Sequence, residues 1–284
     1  MLRLARDHSL SAHRDAEPTA SASAPRRAMC AVLATVVLAV AMPWDAAAAT
    51  FALAGKSPDD ANFIAAWEGC VAAARLQGDR CLNLGSPGPA QARLQDAAIV
   101  AALQSPLAGL AVSVTHSGLL GGSALALARD KGVPVVTFDS DLEPAEQGLR
   151  RSHVGPDNLA FGRSLGGLVK AAHPQGGVVC LMSSDAHDPN LNKRLLGVRQ
   201  ALSGVPGWSV PSRRLQGEGG WREPSRCPWF NGDSMARAHR QMRWALETAR
   251  VTALVSVGAW PLIDPARYAA LMRELGAQRA GAGR

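Results

Sequence analysis

Aromatic side chains that stack on nucleic-acid bases are scarce in this sequence, which has one Tyr and five Phe among its 284 residues. The formal net charge is +7, but the Arg residues are scattered along the chain. Proteins that bind single-stranded nucleic acid combine a basic groove with interleaved aromatic rings. We therefore expect no nucleic-acid partner and interpret the positive charge as a dispersed basic surface.

The sequence also lacks the motifs of common enzyme classes. The segment Gly118–Ser123 has neither the Lys-Ser/Thr pair of a P-loop nor the GxGxxG spacing of a dinucleotide site. No CxxC pair indicates a zinc site. Ser183, Ser184, Asp185 and His187 would suit a hydrolase, but neighbours in sequence rarely converge in space as a catalytic set. We expect no catalysis, no metal and no cofactor.

A membrane-spanning helix needs about 20 apolar residues, and the apolar segment Ala28–Met42 is shorter than that. Arg26 and Arg27 precede this segment, and small residues follow it as far as Ala49. This order is typical of a cleaved export signal. We expect residues 1–49 to be a leader and signal peptide, with a retained membrane anchor as the alternative.

Four cysteines follow the predicted cleavage site, and an exported protein can keep disulfides. Cys70 lies in a predicted helix and Cys81 at the start of the next predicted strand, so a packed helix–strand pair can bridge them. We predict a possible disulfide between these two, with two buried thiols as the alternative. Cys180 lies in an apolar run and is interpreted as a core residue, whereas Cys227 lies in a loop and is either free or paired.

Apolar β-branched runs alternate with helical segments along the chain. The runs AVSV and VPVVTF have no polar face, which is typical of strands covered on both sides, and the stretch between them has the length and composition of a helix. The pattern predicts parallel sheets in two α/β lobes, residues 50–153 and residues 154–284. The predicted strands are Phe51–Ala54, Cys81–Leu84, Leu110–Ser113, Val135–Phe138, Val178–Met182, Ser209–Arg213 and Ala253–Val257. The predicted helices are Ala61–Leu76, Pro89–Leu103, Leu119–Lys131, Asn158–Ala172, Asn190–Leu202, Ser234–Thr248 and Pro265–Leu275, and Gln216–Asp233 is predicted to be a loop.

Three segments of the sequence resemble one known family. VPVVTFDSD, VGPDNLAFGRSLG and NLNKRLLGVRQAL are similar to the first crossover, the entry to the second lobe and a ligand-loop helix of periplasmic sugar-binding proteins of the ribose-binding type. The resemblance extends from Phe51 to Leu275 and implies the type I periplasmic binding protein fold, with two doubly wound three-layer lobes. Family members continue with further strands, so we expect a C-terminally shortened version of the fold.

The resemblance implies ligand-binding roles for several polar residues. Asp139 follows a predicted strand, where ligands bind in open α/β sheets, and matches the family's acceptor for sugar hydroxyls. Arg194 matches an Arg that donates to sugar oxygens, and Asn192 lies beside it; the alternative for this segment is a solvated helix N-terminus with a cap. Ser140 stands where family members often have Arg, which implies a different sugar or weaker binding. Asp141 is expected either to bind the ligand or to solvate the crossover.

The loop after the first strand supplies further candidates: Asp60, Asn62 and Phe63. The family has aromatic residues at the last two of these positions, so only Phe63 is expected to stack on a sugar. The alternatives are helix capping by Asp59 or Asp60 and core packing by Phe63. Trp260 follows a predicted second-lobe strand and is expected either to contact the ligand or to lie in the hinge core.

The resemblance also implies a function. It predicts an exported, periplasmic solute-binding protein that captures a monosaccharide in an interlobe cleft by hinge closure and delivers it to the permease of an ABC transporter. We expect a monomer whose partners are a small-molecule sugar and the membrane permease. The alternative is a periplasmic ligand-sensing component for a kinase or chemoreceptor.

Overall fold

The computed structural model describes residues 48–85, 87–205, 207–210, 212–247 and 251–282. The predicted leader and signal peptide therefore lies almost entirely outside the described residues. Within the described ranges, no helix combines the length and apolar character that crossing a bilayer demands.

The first lobe is built on a five-stranded parallel sheet with strand order β2-β1-β3-β4-β5. Strand β1 lies between β2 and β3, with Leu53 opposite Asn83 in one neighbour and Ala111 in the other. The strands are β1 Thr50–Ala54, β2 Arg80–Leu84, β3 Gly109–Val112, β4 Val135–Phe138 and β5 Ser152–Val154. The helices are α1 Ala61–Arg75, α2 Ala92–Ala102, α3 Ser117–Gly122 and α4 Ala124–Asp130.

The second lobe is built around β6, which pairs with β9 on one edge and with β7 and then β8 on the other. All these pairings are parallel. The strands are β6 Gly177–Ser183, β7 Trp221–Arg222, β8 Trp229–Phe230 and β9 Ala253–Ser256. The helices are α5 Asn158–Ala172, α6 Pro189–Ser203, α7 Met235–Glu247 and α8 Pro265–Ala282.

Both faces of β6 are covered. Val179 and Leu181 are fully buried in a cluster with residues of α6, whereas Met182 is buried in a second cluster with Met242 of α7 and Leu271 of α8. Successive side chains of a strand point to opposite faces of the sheet. The near-continuous apolar run of this strand is therefore explained by helices on both sides.

Four helices begin directly after an aspartate, and before α8 the Asp264 carboxylate accepts from the Arg267 N–H. Asp60, Asp157 and Asp188 accept hydrogen bonds from backbone N–H groups in the first turns of α1, α5 and α6. Such caps satisfy donors that the helix itself leaves unpaired. The caps fix where each helix begins, and two of them also fix residues at the edge of the cleft described below.

The predicted helix Leu119–Lys131 is wrong in one respect, because it is divided into α3 and α4 at Ser123. The Asp96 carboxylate of α2 accepts from the Ser123 hydroxyl at 2.8 Å and from the Ala124 N–H at 3.0 Å. A side chain from a neighbouring helix thus supplies the cap for a new helix start. The sequence around Ser123 does not indicate this contact, because the capping residue Asp96 belongs to another helix.

The predicted strand Ser209–Arg213 is also wrong. The described residues of that segment form no strand, and β7 begins only at Trp221. Trp208, directly before this segment, is buried in the core. The predicted loop Gln216–Asp233 contains the short strands β7 and β8. Strand β5 was not predicted because its three residues have no buried face.

Two disulfides lie within the described residues. One joins Cys70 of α1 to Cys81 of β2, with the Cα atoms 5.9 Å apart. The other joins Cys180 of β6 to Cys227 in the loop before β8, with the Cα atoms 5.4 Å apart. Cys180 is thus a core residue and a disulfide partner, and Cys227 is paired instead of free.

Candidate functional site

A cavity of about 700 Å³ lies between the two lobes, and residues from both line it. Lys56 follows β1 and Asp139 follows β4 in the first lobe, whereas Asp188 follows β6 and Gly258 follows β9 in the second. The carboxyl ends of both parallel sheets therefore face the same space. Six of the residues proposed from the sequence line it: Asp60, Asn62, Phe63, Asp139, Arg194 and Trp260.

Asp139 is held in an unusual backbone conformation directly after β4. Its φ angle is 56°, in the left-handed region that few residues other than Gly adopt. The side chain accepts from the Ser113 hydroxyl at 2.9 Å and from the Asn190 amide at 3.3 Å. Ser113 belongs to the first lobe and Asn190 to the second, so this carboxylate contacts both lobes.

Lys56 is the central cation of the cavity and was not predicted. Its ammonium donates to Asp188 at 2.7 Å and to Asn190 at 2.8 Å, and lies 3.8 Å from Asp139. The Lys56 side chain is only 10% exposed and that of Asp188 only 7%. Two carboxylates from opposite lobes thus share one buried ammonium. Burial raises the pKa of Asp188, and the Lys56 ammonium opposes that rise.

Arg194 projects from the first turns of α6 into the same cavity. Its guanidinium donates to the Asn158 side chain at 2.7 Å and to the Val257 carbonyl at 2.9 Å, and it lies 4.6 Å from the centre of the Phe161 ring. Its Nη2 atom has no hydrogen-bond partner among the described residues. Burial lowers the pKa of Arg194, and the nearby Asp139 opposes this. An Arg remains protonated in proteins, so a fixed cation faces the cavity.

Trp260 and Asp233 form one wall of the cavity on the second-lobe side. The indole N–H donates to Asp233 at 2.9 Å. The ring lies against the backbone of Gly258, where a Cβ atom would be 2.5 Å from the nearest ring atom. Asp233 has a φ angle of 57° and accepts from the first-lobe Ala90 N–H at 3.2 Å. Trp260 is therefore fixed in position by the hydrogen bond of its indole N–H to Asp233 and by the contact of its ring with Gly258.

Phe63, Asp60 and Asn62 line the opposite, first-lobe wall. The Phe63 ring packs edge-on against Phe138, with the ring centroids 6.1 Å apart. Asp60 accepts from the Asn62 backbone N–H at 2.8 Å and caps α1. The capping role that was the alternative for Asp60 is observed, and the same residue lines the cavity. Phe63 likewise combines packing against its neighbour with a position in the wall.

The structure places two predicted site residues elsewhere. Asp141 points away from the cavity and forms two hydrogen bonds of 2.6 Å with Arg150. It is 8% exposed, so neither binding the ligand nor solvating the crossover describes it. The Asn192 side chain donates to the Ala186 carbonyl at 2.8 Å and does not line the cavity. We correct both assignments, because each side chain is used in a local structural contact.

Lys56, Asp188 and Asp233 were missed as site residues. Lys56 follows the first strand and Asp188 lies in the loop after β6, so the rule that ligands bind beyond strand ends would have indicated both. Asp233 lies three residues beyond the end of strand β8, which the sequence did not predict. Asp233 was therefore missed together with its strand, whereas Lys56 and Asp188 follow strands that the sequence did predict.

Comparisons with known proteins agree with this architecture. A family model described as a periplasmic binding protein domain matches residues 51–275. Among curated proteins, none matches the sequence significantly.

Solved structures share the fold. An ABC transporter solute-binding protein from Agrobacterium vitis, bound to α-D-tagatopyranose, is 17% identical with a TM-score of 0.65, covering 82% of this chain and 72% of its own. One from Burkholderia graminis, in complex with D-arabinose, is 20% identical with a TM-score of 0.60, covering 78% and 72%. A glucose-galactose binding protein from Geobacillus stearothermophilus is 19% identical with a TM-score of 0.60, covering 74% and 68%.

Proposed function

Because the chain belongs to the periplasmic binding protein domain family and has the type I fold, we propose that it captures a monosaccharide in the interlobe cavity. We further propose that residues 1–49 direct export to the periplasm, that the protein acts there as a monomer without catalysis, and that it delivers the sugar to an ABC permease. The observation that carries this proposal is the cavity itself, where polar and aromatic side chains of both lobes converge.

The lining residues match the chemistry of a sugar. Sugar hydroxyls both donate and accept hydrogen bonds, and the ring carbons present an apolar face. Asp139 offers acceptor oxygens, and Arg194 offers a donor that no described residue occupies. Phe63 of the first lobe and Trp260 of the second offer aromatic surface. A cavity of about 700 Å³ is in the usual range for a small-molecule site.

The proposed mechanism is closure of the two lobes around the ligand. Asp139 and Phe63 belong to the first lobe, whereas Arg194 and Trp260 belong to the second. A sugar that contacts all four makes its full set of contacts only when the lobes are together. Differential binding of this kind shifts a population toward the closed state. The known structures with bound tagatose and arabinose support a sugar as the ligand class.

The test is thermal unfolding of the protein purified from the periplasm, with and without a panel of pentoses and hexoses. One sugar should raise the melting temperature in a concentration-dependent way. Asp139→Asn should weaken its binding by about tenfold or more, since a charge-assisted hydrogen bond is lost. Asp130→Asn, an exposed surface change, should leave binding intact. Failure of every sugar to bind would contradict the proposal.

A further inference from the structure

We propose that Asn158 is a positioning residue of the interlobe cavity, whose side-chain amide holds Asp139 of the first lobe and Arg194 of the second in the arrangement that binds a sugar. The inference rests on the proposed function and deepens it, because it adds a residue that acts without touching the ligand. Asn158 is only 6% exposed and does not line the cavity, whereas both residues that it contacts do.

The Asn158 side chain is not used to begin helix α5. That role belongs to Asp157, whose carboxylate accepts from two backbone N–H groups of the first turn at 3.0 and 2.9 Å. The amide of the next residue bonds instead to Arg194 and to the backbone carbonyls of Asp139 and Pro156. Buried polar side chains are kept where their donors and acceptors find partners, and here two of the three partners belong to the cavity.

The orientation of the amide follows from the chemistry of its partners. A guanidinium only donates, so the Asn158 atom that lies 2.7 Å from Nε of Arg194 is the carbonyl oxygen Oδ1. The nitrogen Nδ2 then faces two oxygens that only accept, the carbonyls of Asp139 at 3.4 Å and Pro156 at 3.3 Å. One planar amide therefore joins the backbone of Asp139 to the side chain of Arg194.

The contact with Asp139 supports a backbone conformation that is otherwise unfavourable. The φ angle of Asp139 is 56°, and a residue in this region persists only where its surroundings hold it. The Asp139 N–H donates to the Val154 carbonyl at 3.0 Å, and the Asp139 carbonyl accepts from Asn158. The segment that enters the second lobe thus holds Asp139 on both sides and fixes the direction in which its carboxylate projects.

The contact with Arg194 fixes the plane of the guanidinium. Its Nε donates to Asn158 and its Nη1 to the Val257 carbonyl at 2.9 Å, so two different nitrogens are held. Nη2 takes part in neither bond and is left to donate to a ligand in the cavity. A side chain that is already ordered loses less conformational entropy when a ligand binds. Asn158 therefore increases the affinity that Arg194 provides.

The experiment is calorimetric titration of the protein purified from the periplasm with D-arabinose, D-tagatose, D-glucose and D-galactose. Asn158→Leu, similar in size but without polar atoms, should weaken the binding of each sugar that the parent binds by about tenfold or more, because two ligand-binding groups lose their support. The matched control is Asp157→Ala, which removes the cap of the same helix. It should lower the melting temperature by about 2–4 °C and leave the affinity unchanged.

Two further variants separate positioning from a general loss of packing. Asn158→Asp keeps an acceptor for Arg194 but has no donor for the Asp139 carbonyl, so its affinity should lie between those of the parent and Asn158→Leu. In an Arg194→Lys background, which lacks the Nε–H, Asn158→Leu should weaken binding by a smaller factor than in the parent, because coupled residues are not additive. Equal factors in both backgrounds would overturn the inference.

A measurement without ligand tests the inference independently of the proposed function. In ¹H–¹⁵N NMR spectra the hydrogen-bonded Nε–H of Arg194, assigned by its disappearance in Arg194→Lys, should exchange slowly with water. This signal should remain in Asn158→Asp and Asp157→Ala and be lost to exchange in Asn158→Leu. The Nε–H of Arg199, bonded to Glu223 at 2.7 Å, should remain in every variant as an internal reference.

The outcomes distinguish the two proposals. A persistent Arg194 signal and unchanged affinity in Asn158→Leu would overturn the inference, and so would an equal loss of affinity in Asp157→Ala. If no sugar binds the parent, the proposed function fails, and the Arg194 signal alone decides whether Asn158 positions that residue. If Asn158→Leu does not fold, Asn158→Asp carries the comparison, because an affinity equal to that of the parent would contradict the role of the Asp139 contact.

Discussion

Asp141 lies only two residues after Asp139, yet it contacts Arg150 and Thr137 instead of the cavity. Burial by itself would raise the pKa of the Asp141 carboxyl, but hydrogen bonds from Arg150 and Thr137 outweigh it and lower the pKa to about 2. The short Thr137 contact is 2.6 Å. Asp141 therefore ties the segment after β4 to Arg150, just before β5.

This pairing predicts an acid-sensitive contribution to stability. The pKa of Asp141 is lowered on folding, so its contribution is present above the unfolded value near 4 and is lost as the pH falls toward about 2. We expect on the order of 1 to 2 kcal/mol after allowance for solvent screening. Urea unfolding between pH 2.5 and 5 should show a shallower pH dependence for Asp141→Asn than for the parent or for Asp130→Asn. Identical slopes would contradict the assignment.

The role of a residue could be predicted from the sequence where the motif that indicates it lies in one continuous segment. Asp139 and Arg194 belong to motifs with a recognisable local pattern, and both line the cavity. Lys56 and Asp188 meet across 132 residues of sequence, and only the approach of two lobes gives them a shared role. Asp141 was misassigned because sequence alone does not show that Arg150 accompanies it.

At the scale of elements, helices α5 and α6 are packed unusually closely. A Cβ atom at Gly162 would lie 2.1 Å from the Arg194 carbonyl oxygen, and one at Gly197 would lie 2.2 Å from the Leu159 carbonyl oxygen. Only glycine permits this separation of the two backbones. The close contact also places Asn158, at the start of α5, within 2.7 Å of the Arg194 guanidinium.

Gly162→Ala should therefore push the two helices apart. We expect a loss of about 1–3 kcal/mol of stability, the usual cost of overpacking, together with weaker ligand binding because Arg194 moves. The matched control is Gly167→Ala in the same helix, where no atom lies within 4 Å of the added Cβ. That change should stabilise the helix by about 0.5–1 kcal/mol. Urea unfolding of both variants checks this, and equal behaviour would contradict the packing argument.

Helices and strands were predicted correctly where a long segment carries the hydrophobic pattern. They were missed where a short strand forms only because it pairs with another strand. The buried run of β6 and the capped helices α5 and α6 carry their own signals. Strands β7 and β8 have two residues each and exist because they pair with β6. A pattern of two residues is too short to predict a strand.

At the scale of the whole molecule, Lys56 of the first lobe joins the two lobes. Its bonds to Asp188 and Asn190, together with the bond from Ala90 to Asp233, hold the two sides of the cavity near each other. The alternation of strands and helices predicted both α/β lobes, but no local pattern indicated these links. They depend on the final distance between surfaces far apart in the chain.

Lys56→Met should favour the open form of the unliganded protein. It removes two hydrogen bonds and leaves the Asp188 carboxylate, which is 7% exposed, without its cation. Opening returns that carboxylate to water and avoids the cost of an unpaired buried charge. Small-angle X-ray scattering should show a larger radius of gyration than for the parent or for the exposed control Lys131→Met. An unchanged radius would show that Lys56 does not hold the lobes together.

The two disulfides have a consequence for mechanics. Each closes a loop inside one lobe, the first over a separation of 11 residues and the second over 47, and none in the described part of the chain bridges the cleft. Oxidation therefore reduces the disorder available to the unfolded chain. It places no covalent restraint on rotation of one half against the other. Reduction of the two disulfides would therefore lower the stability of each lobe. It would leave the opening of the cleft, and with it the exchange of ligand, unchanged.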